Sequence, residues 1–148
     1  MDFVPAVKKC LLTDCFKISG RAPRSEYWWF YLFAFIASIV LALFNVIPVL
    51  GQIISLVAGI WIFIAQLTVL ARRLHDTNRS ALWILAPLGC SIAGLALLFV
   101  GIYFESSAFS VVSTILFLAT FVVYIAIFVF TLLPGTQGDN KYGPDPLG

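Results

Sequence analysis

Charge is scarce in this sequence. Only 11% of its 148 residues are Asp, Glu, Lys or Arg and 61% are hydrophobic, against about 25% charged and roughly 45–50% apolar residues in an ordinary soluble domain. A chain of this length has little interior, so much of its apolar surface must face something other than water. A water-soluble globule is excluded. Within the long apolar runs the shortage is complete, because no Asp, Glu, Lys, Arg or His lies in the middle of any of them. Proton relays, voltage sensors and ion-coupled pumps place ionisable groups at that depth, so those classes are disfavoured. Paired-carboxylate motifs, a Ser-His-Asp order and a phosphate-cradling glycine loop are also missing, which removes the usual warrants for an enzyme. His75 is the single histidine. A metal site drawn from His75, Asp76, Asp139 and Asp145 is disfavoured by the adjacent Arg72, Arg73 and Arg79, whose charge opposes a cation. No catalytic residue, metal or cofactor is expected.

What is present is apolar length. Four runs, Tyr27 to Ile47, Val49 to Leu70, Ala81 to Phe104 and Phe109 to Leu133, each reach the about 20 helical residues that cross a hydrocarbon core of about 30 Å. They are continuous rather than alternating, which excludes β-barrel strands and leaves helices as the structure that satisfies every backbone group in lipid. The expectation is an all-α membrane protein: one domain over 1–148, four transmembrane helices, short connections and a polar tail over 134–148. No cleavable signal peptide is expected, since the first run starts only at Tyr27. All nine Lys and Arg residues fall in the N-terminal segment, the 71–80 connection and the tail. Basic residues mark the retained side, so both termini are expected in the cytoplasm. Cys10, Cys15 and Cys90 then lie on that side or within the third span, where free thiols are expected.

Residues 3–18 read as an amphipathic helix lying on the membrane, with Phe3, Val4, Val7, Leu11, Cys15 and Ile18 on one face and Lys9, Thr13 and Lys17 on the other. In SGRAPRSEYWWF, Gly20 ends that helix, Pro23 suits the first turn of the next, and Glu26 adds a negative charge where the helix dipole favours it. Tyr27, Trp28 and Trp29 read as an interfacial belt. Gly51, Ser55 and Gly59 recur every four residues, and the third span carries Ala86, Gly89, Cys90, Ala93 and Gly94. Such stripes let helices approach closely, either within one chain or between the chains of a homo-oligomer. Pro87 is expected to bend the third span, and Gln66 to make a helix-to-helix hydrogen bond.

If the second helix continues past Leu70, ARRLHDTNRS places Arg72, His75, Asp76 and Arg79 on one face at i, i+3, i+4 and i+7. Two readings compete. One is an exposed Arg72–Asp76 ion pair beside topogenic arginines; the other is a polar pocket for an anionic group, with His75 able to titrate near neutral pH. The tail GTQGDNKYGPDPLG is a series of turns, either disordered or docked, with Tyr142 at the membrane interface and Lys141 and Asp139 against the arginine loop.

Together, SGRAPRSEYWWF, RRLHDTNRS and GTQGDNKYGPDP resemble, in order and spacing, the signatures of the bacterial inner-membrane proteins of domain-of-unknown-function family 805. The resemblance covers nearly the whole chain and implies a small four-helix inner-membrane protein; it supplies no catalytic residues. Asn78 and Ala81 stand where the family commonly has glycine, and Gln137 where it has proline. The candidate ligand-binding residues are Arg21, Arg24, Glu26, Arg72, Arg73, His75, Asp76, Arg79, Asn140, Lys141 and Tyr142. Arginine outnumbers lysine in these segments, and its planar fork grips phosphate or carboxylate by two bonds. The expected function is binding of an anionic headgroup, ligand or partner; an oligomeric channel or exporter and a lipid-modifying enzyme are the alternatives. Membrane lipids are the expected partners, with a homo-oligomer open and nucleic acid excluded.

Overall fold

The computed structural model describes residues 1–147, so the last residue of the tail, Gly148, lies outside the described residues. The chain is all-α, with no strand among those residues. Its helices are α1 (Phe3–Lys8), continued by a π turn over Lys9–Thr13; α2 (Arg24–Phe44); α3 (Leu50–Asp76); α4 (Leu85–Tyr103), preceded by a 3-10 turn over Ala81–Ile84; and α5 (Ser107–Leu132). Four helices are long and apolar enough to cross a membrane. Contacts gather into two units, one of Met1–Arg79 with the tail from Pro134, the other of Ser80–Leu133.

In the first unit the usual distribution of side chains is inverted. Phe35, Leu56 and Phe63 are exposed, whereas the largest fully buried side chains are Arg72 and Arg73, with Glu26 among them. Helix α2 starts after Pro23, whose extended backbone (φ −68°, ψ 162°) caps it, and carries Glu26 in its first turn. Helix α3 has 27 residues, roughly 40 Å at about 1.5 Å per residue, so its last turns run beyond the apolar stretch and carry Arg72, Arg73, His75 and Asp76. Helices α2 and α3 pack through the expected small residues: a Cβ at Gly51 would run into the Phe44 carbonyl, and Ser55 Oγ donates to Leu41 O at 2.8 Å. Gly59 has open space around it. A compact core of Cys10, Cys15, Ala22, Tyr27, Phe30, Ala65 and Val69 joins the N-terminal segment to both helices.

The N-terminal helix is shorter than the expected 3–18. It ends at Thr13, and Asp14 N donates to Lys9 O at 2.8 Å across the widened π turn. That turn shifts the register, so Ala6, Cys10, Asp14 and Cys15 face inward while Val4 and Ile18 are exposed. Tyr27 is likewise part of the core rather than of a uniform aromatic belt.

In the second unit, α4 and α5 pack at Gly94, where an added Cβ would meet Phe117 at 3.3 Å, and at Gly101, where it would meet Ser110 Oγ at 2.9 Å. Pro87 falls in the first turn of α4. A 3-10 turn over Ala81–Ile84 leads directly into that turn, so the proline stands where the helix passes from 3-10 to α geometry. Cys10, Cys15 and Cys90 are all free thiols.

Candidate functional site

The polar residues of the first unit form two ionic clusters on either side of the end of α3. The inner cluster joins the π turn after α1, with Asp14 behind it, to α2 and α3. Arg72 pairs with Glu26 and with Asp14 at 3.3 Å, and Lys9 Nζ completes it at 2.7 Å from Glu26 and 3.7 Å from Asp14. Lys17 Nζ, on an exposed side chain, lies 4.0 Å from Asp14 as well, so each buried charge has a partner of opposite sign, as a buried ionic group requires. Cys10 Sγ lies 3.8 Å from both Glu26 Oε1 and Arg72 Nη2. Burial, reinforced by the Glu26 charge, pushes this thiol up to about 12, so it stays protonated.

The outer cluster joins the 20–23 segment, α3 and the tail. Asp76 receives Arg21 Nε at 3.0 Å and also pairs with Arg73. Arg21 reaches on to the tail, donating to Thr136 O and, at 2.6 Å, to Gly138 O. The tail in turn caps α3. Thr136 N donates to Asp76 O at 2.8 Å, Asn140 Nδ2 donates to His75 O at 3.0 Å, and Ala22 N donates to Arg72 O at 3.0 Å. The Asp76 and His75 carbonyls lie in the last turn, where a helix runs short of donors, and the tail supplies them from 60 and 65 residues away in sequence, His75 O also taking Asn78 N at 2.9 Å. The Tyr142 ring stacks on His75, centroids 3.9 Å apart and 6° from parallel, while His75 Nδ1 lies 3.2 Å from Gly20 O. Gly135 is required by this closeness, since a Cβ there would run into the Asp76 carboxylate.

Beside the outer cluster opens a pocket of about 480 Å³, lined by Arg21, Arg24 and Arg73 with Asp76, Asp145, Ser25 and Thr136 among its walls. The N–H groups of Leu147 and Gly138 hold the Asp145 carboxyl below its ordinary range, so the pocket presents three guanidinium groups and two carboxylates.

The expected Arg72–Asp76 ion pair does not form, and neither residue is exposed. Asp76 takes Arg73, three residues before it, and Arg21, while Arg72 turns to Asp14, just after the π turn, and to Glu26 of α2. The expected four-residue face is also cut short. Helix α3 ends at Asp76, Asn78 takes a positive φ of 59°, and Arg79 Nη1 donates to Thr77 O at 3.1 Å. Glu26 and Arg72 belong to the inner cluster, Arg21, Arg73, His75, Asp76, Asn140 and Tyr142 to the outer one, and Arg24 to the pocket wall. The tail is docked, but not through the expected charges: Lys141 lies 5.0 Å over the Tyr142 ring and Asp139 accepts from Asp145 N at 3.2 Å. Lys9, Cys10, Asp14 and Thr136 were not legible as site residues. The signals that were available are the i, i+4 spacings of Cys10 with Asp14 and of Thr136 with Asn140, whose side chains bond at 2.8 Å.

The family described as "Protein of unknown function (DUF805)" matches residues 15–144. The chain belongs to this family. Inner membrane protein YhaH of Escherichia coli strain K12 is 34% identical over 134 residues, covering 86% of this chain and 84% of that protein. Inner membrane protein YhaI of the same strain is 35% identical over 132 residues, with the same two coverages. No solved structure matches the chain. With four apolar helices and these relatives, this DUF805 member is a multi-pass inner-membrane protein. The family match takes in Arg21, Arg24, Arg73, Asp76 and the capping tail residues, whereas Lys9, Cys10 and Asp14 precede it.

Proposed function

We propose that the protein binds a phosphate- or carboxylate-bearing ligand in the arginine pocket, on the cytoplasmic side of the membrane. One observation carries this reading: three arginines line a cavity of about 480 Å³ in which they outnumber the carboxylates. Three guanidinium groups face the carboxylates of Asp76 and Asp145, so the cavity keeps a net positive charge. Guanidinium groups suit bidentate capture of phosphate or carboxylate. The cytoplasmic side follows from the concentration of basic residues in the segments that build the site. His75 and Tyr142 serve the site by holding the tail, which forms one wall, and the inner cluster serves it by fixing α1 and α2 against α3.

Thermal melting of the full chain in a non-ionic detergent, with inorganic phosphate as probe, tests the reading. Phosphate is expected to raise the melting temperature above chloride at equal ionic strength, with the increment lost in Arg24→Gln and partly kept in Arg24→Lys. An increment that is absent from the parent, or unchanged in Arg24→Gln, reduces the arginines to a topology signal.

A further inference from the structure

The arginine pocket continues into an apolar groove. Arg24 and Ser25 line both the pocket and a second cavity of about 450 Å³, whose remaining walls are Trp28, Trp29 and Leu32. Ser25, Trp28 or Trp29, and Leu32 follow one another at i, i+3 or i+4, and i+7, a single stripe down α2. From Arg24 to Leu32 the stripe descends about 12 Å along the axis, starting where the span starts. Trp29 and Leu32 are 39% and 42% exposed, and Phe3 of α1 braces Trp29 edge-on at 5.8 Å. A soluble anion would use the basic cavity and leave this stripe untouched. A molecule with an anionic phosphate joined to a hydrocarbon chain fits both.

We infer that the ligand is an anionic membrane phospholipid, with its phosphate among Arg21, Arg24 and Arg73 and one acyl chain along the Ser25–Leu32 stripe of α2. This rests on the anion-binding reading above and adds the identity of the ligand. Zwitterionic phospholipids carry the same chains and phosphate but no net charge, so the excess of arginine selects against them. Indole rings suit this position, because one edge tolerates the headgroup level while the body packs on chain methylenes.

Trp28 and Trp29 report occupancy directly. In a Trp61→Phe, Trp83→Phe background, phosphatidylglycerol brominated in its acyl chains is titrated against the full chain in detergent, with brominated phosphatidylcholine as the control. Half-maximal quenching is expected at about tenfold lower phosphatidylglycerol than phosphatidylcholine, the scale of one charge-assisted contact, and Arg24→Gln is expected to remove the difference. Equal quenching by the two lipids in that background, with Arg24 intact, overturns the inference. If the lipids quench equally but phosphate still stabilises in an Arg24-dependent way, the site takes a soluble anion and only the lipid assignment falls. If Arg24→Gln changes neither quenching nor phosphate stabilisation, both readings fall.

Discussion

Arg72 and Arg73 are neighbours in sequence, yet they serve different clusters. Consecutive helical residues point about 100° apart, so one guanidinium faces Asp14 and Glu26 while the other faces the 20–23 segment and the tail. Both are fully buried, and a buried charge that loses its partner costs about 3–5 kcal/mol. The pairing predicts which substitutions couple. In a double-mutant cycle followed by thermal or denaturant unfolding in detergent, Arg72→Met and Glu26→Met should interact by about 1–3 kcal/mol. Arg72→Met and Asp76→Asn, which lie in different clusters, should add to within about 0.5 kcal/mol. The reverse pattern, with coupling to Asp76 and additivity with Glu26, would show that the arginines exchange partners in solution.

At the scale of the element, α3 is the axis of the site and the tail is its cap. Sequence patterning is sufficient for the spans, because a run of apolar side chains facing lipid is a local property. It is insufficient for the cap, whose bonds run from Thr136 and Asn140 to the carbonyls of Asp76 and His75, and backbone carbonyls carry no side-chain signature. The same limit hid Asp14: the π turn at Lys9–Thr13 rotates it inward by a backbone choice that the polar-apolar pattern does not encode. The arginines and Asp76 were legible because charges beside apolar runs stand out, but their partners come from elsewhere in the chain. The cap yields its own prediction. Asn140 bonds His75 O and Thr136 Oγ1 and accepts from Tyr142 N, so at about 1 kcal/mol for each bond Asn140→Ala should cost about 1–3 kcal/mol. Hydrogen–deuterium exchange should rise in residues 134–147 and at the end of α3, and not in α4 or α5. Unchanged exchange in the tail would mean that these bonds do not hold it.

For the whole molecule, the distribution of charge predicts an orientation. The chain up to the first residue of α2, the end of α3 with the residues after it to Arg79, and the tail are gathered in one unit and hold all nine basic residues. The connection from α2 to α3 and that from α4 to α5 hold none, with Glu105 as their one ionisable side chain. An anion pocket built from the basic segments faces cytosolic anions and the anionic inner leaflet only if those segments are retained, so the proposed function and the topology stand together. Leu147 is 78% exposed and Glu105 is exposed, which makes each a usable position for a single reporter cysteine. The native Cys10 and Cys15 are buried, and the half-buried Cys90 is replaced by serine in both reporters. In spheroplasts treated with a membrane-impermeant maleimide, Glu105→Cys should be labelled at once and Leu147→Cys only after the membrane is permeabilised. Labelling of Leu147→Cys in intact spheroplasts would place the arginine pocket on the periplasmic side, where neither cytosolic anions nor lipids of the inner leaflet reach it.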